Sequence, residues 1–125
     1  MKIEQVICQV LRLEEALQQA DVDGYRWLRD RSPVPIAAGE GKCDAESFRT
    51  LIDKHAFDVY QVDLSRNGFT DASYIGRRVE KIGARPCNHC YTSPITHAAS
   101  AHWLATCRDT FLFEDCVEDS PLRHE

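Results

Sequence analysis

Short runs of apolar residues alternate with longer stretches in which apolar residues recur every three or four positions. The runs predict strands at 1–13, 35–39, 59–62, 84–88 and 111–113. The longer stretches have the repeat of amphipathic helices, in which Phe48, Leu51 and Ile52, for example, share one face. Regular alternation of strand and helix is typical of a parallel sheet with helices packed outside it.

Residues that can cap a helix mark where the predicted helices begin. They are Asp21, Asp44, Thr70 and Ser93. A capping oxygen accepts a hydrogen bond from one of the first N–H groups of a helix, which have no partner inside it. The third helix is predicted to span 70–82, because Gly68 is typical of a turn and Gly83 of a helix C-terminus.

Acidic or imidazole side chains follow the predicted strands at nearly constant spacing. They are Glu14, Glu40, Asp63, His89 and Glu114. The gaps between them are 26, 23, 26 and 25 residues, about the length of one strand, one helix and two loops. In a β/α barrel the functional groups stand where the strands end, on one common face. The spacing therefore predicts that the five side chains point at a single centre.

Length limits how much of such a barrel the chain can form. A complete eight-stranded barrel takes roughly 250 residues, whereas this chain has 125. We therefore predict an α/β fold that is an incomplete TIM-type (β/α) barrel, with about five parallel strands and four outer helices. An open sheet of this kind leaves strand edges unpaired, and the chain is expected to associate with itself.

Charge and composition exclude several classes of partner. A net charge of −5 and a pI near 5.5, without a basic stripe, argue against nucleic acid. The longest apolar stretch is too short to span a membrane, and Glu4 and Gln5 interrupt any signal-peptide core. Six cysteines without a secretory signal are typical of reduced thiols, so we expect a cytoplasmic protein with no membrane partner.

The segments around the five side chains resemble a known family. They are Leu13-Glu14-Glu15-Ala16-Leu17, Pro35-Ile36-Ala37-Ala38-Gly39-Glu40, Gln61-Val62-Asp63-Leu64-Ser65-Arg66-Asn67-Gly68, Asn88-His89 and Phe113-Glu114. In order and spacing they resemble successive strand ends of the enolase superfamily, in the branch that holds mandelate racemase, muconate lactonizing enzyme and the acid-sugar dehydratases. The resemblance covers 13–125.

The resemblance implies a role for each of the five side chains. Glu14 and Glu40 match the second and third carboxylates that hold Mg²⁺ in the family. Asp63 and His89 match its acid–base pair, and Glu114 matches the acid that hydrogen-bonds the substrate carboxylate. The implied substrate is an acid sugar or hydroxy acid. Removal of its α-proton, through an enediolate, would be followed by loss of the 3-hydroxyl (dehydration) or by reprotonation (racemisation).

The sequence also departs from the family pattern. A Lys-x-Lys base, the metal aspartate one strand before Glu14, and nearly all of the capping domain have no counterpart in it. We therefore interpret 1–12 as a remnant of the first capping-domain strand, and 13–125 as the C-terminal part of the barrel. Two hypotheses follow: a dehydratase or racemase fragment that is weak or inactive alone, or a non-catalytic remnant that pairs with itself or with a full-length relative.

A zinc module is a third hypothesis, carried by the cysteines and histidines near the fourth predicted strand. Cys87 and Cys90 have the two-residue gap of a zinc-ligand pair, and His97 and His102 follow. However, these histidines are five residues apart in a predicted helix and so lie on different faces. The same cysteines are a poor redox pair, because no helix start stands beside them to lower a thiol pKa.

Overall fold

The computed structural model describes residues 10–91 and 93–117, which form a parallel sheet covered on one face by helices. The strands are β1 (Leu13–Glu14), β2 (Ile36–Ala38), β3 (Val59–Asp63) and β4 (Arg85–His89). The helices are α1 (Val22–Arg29), α2 (Ala45–Asp53), α3 (Leu64–Lys81) and α4 (Pro94–Leu104). The strand order is β1-β2-β3-β4, and every neighbouring pair is parallel. This architecture confirms the predicted α/β class and partial barrel.

The register of the sheet decides which side chains meet on its two faces. Gln61 pairs with Cys87 and Asp63 with His89, so polar residues two apart on β3 and β4 form rows. Because side chains alternate along a strand, the residues between them point the other way. Tyr60 and Val62 accordingly pack into the core beneath the helices. The face that carries Asp63 and His89 is therefore the interior of the partial barrel.

Aromatic side chains fill most of the space between the sheet and the helices. Tyr25 and Phe57 meet edge to face with ring centroids 4.8 Å apart, and both are buried. Tyr60 is also buried, and its hydroxyl donates to the Leu51 carbonyl at 3.0 Å. Trp103 on α4 is 1% exposed. Burial of this many large side chains fixes the helices against the sheet and holds the strand ends in place.

Three of the four predicted helices begin where the caps indicate. The side chains of Asp21, Asp44 and Ser93 each accept from a backbone N–H in the first turn that follows. The range Leu64–Lys81 of α3 joins two helical segments across a kink at Gly68, whose φ of 63° and ψ of 176° are not helical. The segment after the kink agrees with the third predicted helix and with the turn predicted at Gly68, whereas the short segment before it, capped by Asp63, was not predicted.

The fifth predicted strand, 111–113, is wrong: this segment lies beside β4 without forming a strand. The Asn88 side chain holds it, donating to the Glu114 carbonyl at 2.7 Å and accepting from the Glu114 N–H at 2.8 Å. One backbone hydrogen bond also joins the segment to β4, from the Phe111 N–H to the Pro86 carbonyl at 3.4 Å. The described residues therefore form four strands, not five.

The start of the chain is only partly described. Residues 1–9 lie outside the described residues, and of 10–13 in the first predicted strand only Leu13 lies in the sheet, where it begins β1. The proposed division between 1–12 and 13–125 stays a prediction. Within 10–91 and 93–117, no helix is long and apolar enough to cross a membrane.

Replacing Gly68 with alanine should destabilise the protein although a methyl group would meet nothing within 4 Å. The backbone at φ 63° and ψ 176° is a conformation that L-residues adopt only with strain, so we expect a loss of about 1–3 kcal/mol in urea unfolding. D-Alanine at position 68, introduced by peptide ligation, prefers this mirror-image region and is the matched control. Equal losses for both enantiomers would contradict the backbone explanation.

Candidate functional site

His89 and Asp63 form a hydrogen-bonded pair at the ends of β4 and β3. The distance between His89 Nδ1 and Asp63 Oδ2 is 3.0 Å, and the two residues are register partners in the sheet. The Asp63 side chain is 1% exposed and that of His89 is 12% exposed. An aspartate that holds Nδ1 leaves Nε2 as the imidazole nitrogen that can exchange a proton.

Hydrogen bonds, and not exposure to solvent, keep the carboxyl group of Asp63 ionised. Burial alone would raise its pKa, but the hydrogen bonds from His89 and from Ser65 outweigh that effect and lower it. The Ser65 N–H donates to Oδ1 at 2.7 Å, because Asp63 is also the cap of α3. Arg66 Nε adds a longer contact of 3.6 Å to Oδ2. The carboxylate is therefore negatively charged and fixed in orientation.

His89 also faces a second carboxylate, that of Glu40. The distance between His89 Nε2 and Glu40 Oε2 is 3.5 Å. The hydrogen bond to Asp63 raises the pKa of His89 most, burial opposes the rise, and Glu40 and Glu114 add to it. Burial raises the pKa of Glu40, which the charge of His89 partly offsets. His89 is thus stabilised in its protonated form by carboxylates on both ring nitrogens.

Arg12 joins the two outer carboxylates of the site. Its Nε and Nη2 atoms lie 2.9 and 2.6 Å from Glu14 Oε2, and Nη2 lies 3.2 Å from Glu114 Oε2. The Arg12 side chain is 14% exposed. Glu14 and Glu114 come from opposite ends of the described chain, so Arg12 links the first strand to the segment that follows α4.

Gln61 is a further polar side chain directed at Glu114. It is fully buried on β3, and its Nε2 donates to Glu114 Oε2 at 3.2 Å. Burial raises the pKa of Glu114, the nearby charge of Glu14 adds to the rise, and contacts with His89, Arg12 and Gln61 oppose it. Burial therefore favours the protonated form of Glu114, and its hydrogen-bond and charge partners oppose that effect.

Glu15 ties the ends of β1 and β2 together and so places Glu40. Its Oε1 accepts from the Gly39 N–H at 2.9 Å, immediately before Glu40. Gly39 has φ 121°, and a Cβ there would come within 3.1 Å of the Gln61 carbonyl oxygen. Glycine is therefore required for β2 to turn its next residue towards His89.

The carboxylates do not fit a Mg²⁺ ion as they stand. Mg²⁺ requires oxygen ligands at about 2.0–2.1 Å in near-octahedral geometry. Glu14 Oε2 is instead held by two nitrogens of Arg12, and Glu40 Oε2 faces His89. In the part of the chain that the structure describes, no three Asp, Glu, His or Cys side chains are grouped closely enough to hold a metal ion.

The residues of the zinc hypothesis are not brought together either. Cys87 and Cys90 are buried, whereas the ring of His97 stands 4.8 Å from that of Phe113 and its Nε2 lies 3.0 Å from Asp115. Burial raises the pKa of the Cys87 thiol to about 11, the opposite of what a thiolate ligand needs. The geometry therefore does not favour a zinc centre or a redox pair.

Sequence reasoning did not identify Arg12 and Gln61 as site residues. A signal for each was present, because each lies two residues before a predicted site residue on the same strand, Glu14 and Asp63 respectively. Side chains two apart on a strand share a face. Gln61 was also a polar residue inside an otherwise apolar buried run, which is more informative than an apolar one.

Replacing Asp63 with asparagine should lower the pKa of His89, measured from its ring signals by NMR. Because folding raises the pKa of His89, this residue stabilises the fold fully below its unfolded pKa of about 6.5, and the stabilisation is lost as pH rises through its pKa in the folded protein. Because folding lowers the pKa of Asp63, this residue stabilises the fold above its unfolded pKa of about 4. The loss of stability, about 1–3 kcal/mol, should therefore be largest between about pH 4 and 6.5. Asp109→Asn, whose ion pair with Arg85 is exposed, is the control. An unchanged His89 titration in D63N would contradict the pairing.

Comparison with known proteins assigns the chain to a family. The model of the family described as "Enolase C-terminal domain-like" matches residues 3–125. D-galactonate dehydratase of Ralstonia nicotianae is 29% identical over 105 residues, covering 79% of this chain and 28% of that protein. L-Ala-D/L-Glu epimerase of Thermotoga maritima is 24% identical over 112 residues, covering 90% of this chain and 32% of that protein.

Solved structures give the same assignment. The 3,6-anhydro-D-galactonate cycloisomerase from Zobellia galactanivorans superposes with a TM-score of 0.85 at 26% identity, covering 93% of this chain and 33% of that one. A mandelate racemase/muconate lactonizing enzyme from Sulfitobacter gives 0.84 at 25% identity, covering 93% and 29%. The chain spans about a third of the length of these relatives. It belongs to the enolase C-terminal domain-like family.

Proposed function

We propose that this chain carries the acid–base part of an acid-sugar dehydratase or racemase site, in which His89 removes the proton α to a carboxylate. The observation that carries the proposal is the 3.0 Å hydrogen bond between His89 Nδ1 and Asp63 Oδ2. Similarity to a dehydratase and an epimerase supports it, although the chain spans only 28% and 32% of those proteins.

Each described side chain has a defined part in the proposed step. In its neutral form, His89 takes up the α-proton at Nε2, and Asp63 stabilises the imidazolium that results. Negative charge then develops on the substrate carboxylate as the enediolate forms. Arg12 and Gln61 both donate to Oε2 of Glu114, so a protonated Glu114 would carry its proton on Oε1 and donate it to that carboxylate.

Two outcomes then follow for the substrate. Loss of the 3-hydroxyl as water gives an enol that becomes a 2-keto-3-deoxy acid, and His89 can return its proton to that hydroxyl. Racemisation needs a second base on the opposite face, and no Lys-x-Lys pair is present in this sequence. We therefore expect dehydration to be slow and racemisation to be undetectable for this chain alone. Dependence on Mg²⁺, with Glu14 and Glu40 as ligands, stays a prediction of the resemblance.

The proposal is tested by exchange of the C2 proton of D-galactonate, followed by ¹H NMR in D₂O at high protein concentration. We expect slow loss of the C2 signal that falls about 100-fold or more in His89→Asn, because a positioned base contributes at least that factor. His97→Asn removes a half-exposed imidazole outside the site and should leave the rate unchanged. Exchange that is absent from the unaltered chain, or retained in H89N, would contradict the proposal.

A non-catalytic role through self-association is the second candidate. The outer edge of β1 has no strand beside it among residues 10–91 and 93–117, and the apolar residues there are exposed: Val10 by 42%, Leu11 by 71% and Leu13 by 41%. An unpaired edge with apolar side chains favours pairing with the same edge of a second copy.

Sedimentation velocity tests this second candidate. We expect the unaltered chain to dimerise in the micromolar range and Leu11→Lys to remain monomeric, because a charge on the edge opposes strand pairing. Ile95→Lys, which places the same charge on an exposed residue of α4, is the control and should still dimerise. A monomer at every concentration of the unaltered protein would overturn this candidate.

A further inference from the structure

We propose that Arg12 is a built-in cation that competes with divalent metal ions for Glu14. This inference rests on the placement of Glu14 at the site and does not depend on proton removal by His89. It explains why Glu14, which matches a metal ligand of the resembled family, does not fit a metal ion in this structure. The competition should be measurable as an increase in metal affinity when the guanidinium is removed.

The contacts of Arg12 occupy one carboxylate oxygen of Glu14. Oε2 accepts a hydrogen bond from Nε at 2.9 Å and lies 2.6 Å from Nη2. The guanidinium charge therefore stands directly against the Glu14 carboxylate. A divalent ion at this carboxylate would have to displace or crowd the guanidinium, because two cations at one carboxylate repel each other.

The remaining edges of the guanidinium are also engaged. Nη2 reaches Glu114 Oε2 at 3.2 Å, and Nη1 lies 3.7 Å from the sulfur of Cys87. The Arg12 side chain is only 14% exposed, so these contacts are sheltered from solvent. The guanidinium of Arg12 is thus fixed by contacts with three side chains and is largely buried.

Gln61 is a second donor to the Glu114 carboxylate that Arg12 contacts. Its Nε2 donates to the same Oε2 atom, and its Oε1 is buried without a hydrogen-bond partner among the described residues. Rotating the amide would place this oxygen against the carboxylate, so the observed orientation is the favourable one. Glu114 Oε2 therefore accepts from two donors, Arg12 Nη2 and Gln61 Nε2.

Repulsion between the carboxylates of Glu14 and Glu114 favours a cation between them. Glu114 is 12% exposed, and a single nitrogen, Arg12 Nη2, lies 2.6 Å from Glu14 Oε2 and 3.2 Å from Glu114 Oε2, so the two carboxylates are close enough to repel each other. A cation between them removes this repulsion. When Arg12 leaves, the pair is left without compensation, and a divalent ion becomes the favoured replacement.

The decisive experiment measures Mn²⁺ binding by the electron paramagnetic resonance signal of the free ion, without any substrate. We expect Arg12→Gln to bind Mn²⁺ about tenfold more tightly than the unaltered chain, within the usual range for linked equilibria. Arg85→Gln removes the same charge from the opposite end of β4 and should not change the affinity. The gain should disappear in the double variant R12Q/E14Q, which would locate the new binding at Glu14.

Circular dichroism checks that the variants are folded. Arg12→Lys provides a second test of the competition. A lysine retains the positive charge but cannot place two donors on one oxygen in the fork geometry of arginine, so its metal affinity should lie between those of the unaltered chain and R12Q. Equal Mn²⁺ affinity in the unaltered chain and in a folded R12Q or R12K would overturn the inference. Because no turnover is measured, this result is independent of whether His89 is a base.

Discussion

The carboxylate of Asp63 is the feature on which both the fold and the site depend. Its Oδ1 accepts the Ser65 N–H at 2.7 Å and so begins α3, while its Oδ2 holds His89 Nδ1 at 3.0 Å. One buried, ionised group therefore fixes the start of the longest helix and the orientation of the imidazole. The position of His89 relative to the other strand ends is thus set by the same contact that closes the third β/α unit.

The sequence predicted the strand ends well because the signals there are local. Strand and helix periods, the caps Asp21, Asp44 and Ser93, and the regular spacing of the polar residues all depend on neighbours in the chain. The resemblance added the pairing of Asp63 with His89, which the structure places within hydrogen-bond distance. The roles of the individual site residues remain proposals, since geometry brings side chains together without showing what they do.

What the sequence did not predict depends on contacts between distant segments. The predicted strand at 111–113 has the right composition, yet the adjacent Glu114 is held beside β4 by the side chain of Asn88 and not by a strand ladder. The contact of Arg12 with Glu114 joins positions 102 residues apart, and nothing in the local pattern of either residue reports it. The turn predicted at Gly68 is present as a kink, whereas the short helical segment before it, which Asp63 caps, was not predicted.

The charges of the site are best understood as one coupled group. Glu40 and Glu114 both have raised pKa values because burial removes their hydration, and each is brought back by the charge of His89. His89 in turn has a raised pKa because Asp63, Glu40 and Glu114 surround it. A proton taken up at Nε2 is therefore stabilised by three carboxylates, and its loss makes Glu40 easier to protonate.

Arg12 is the other cation of this group and is fixed in charge at all ordinary pH values. The site thus combines one permanent positive charge, on Arg12, with one on His89 that depends on pH and that acts on Glu40 and Glu114.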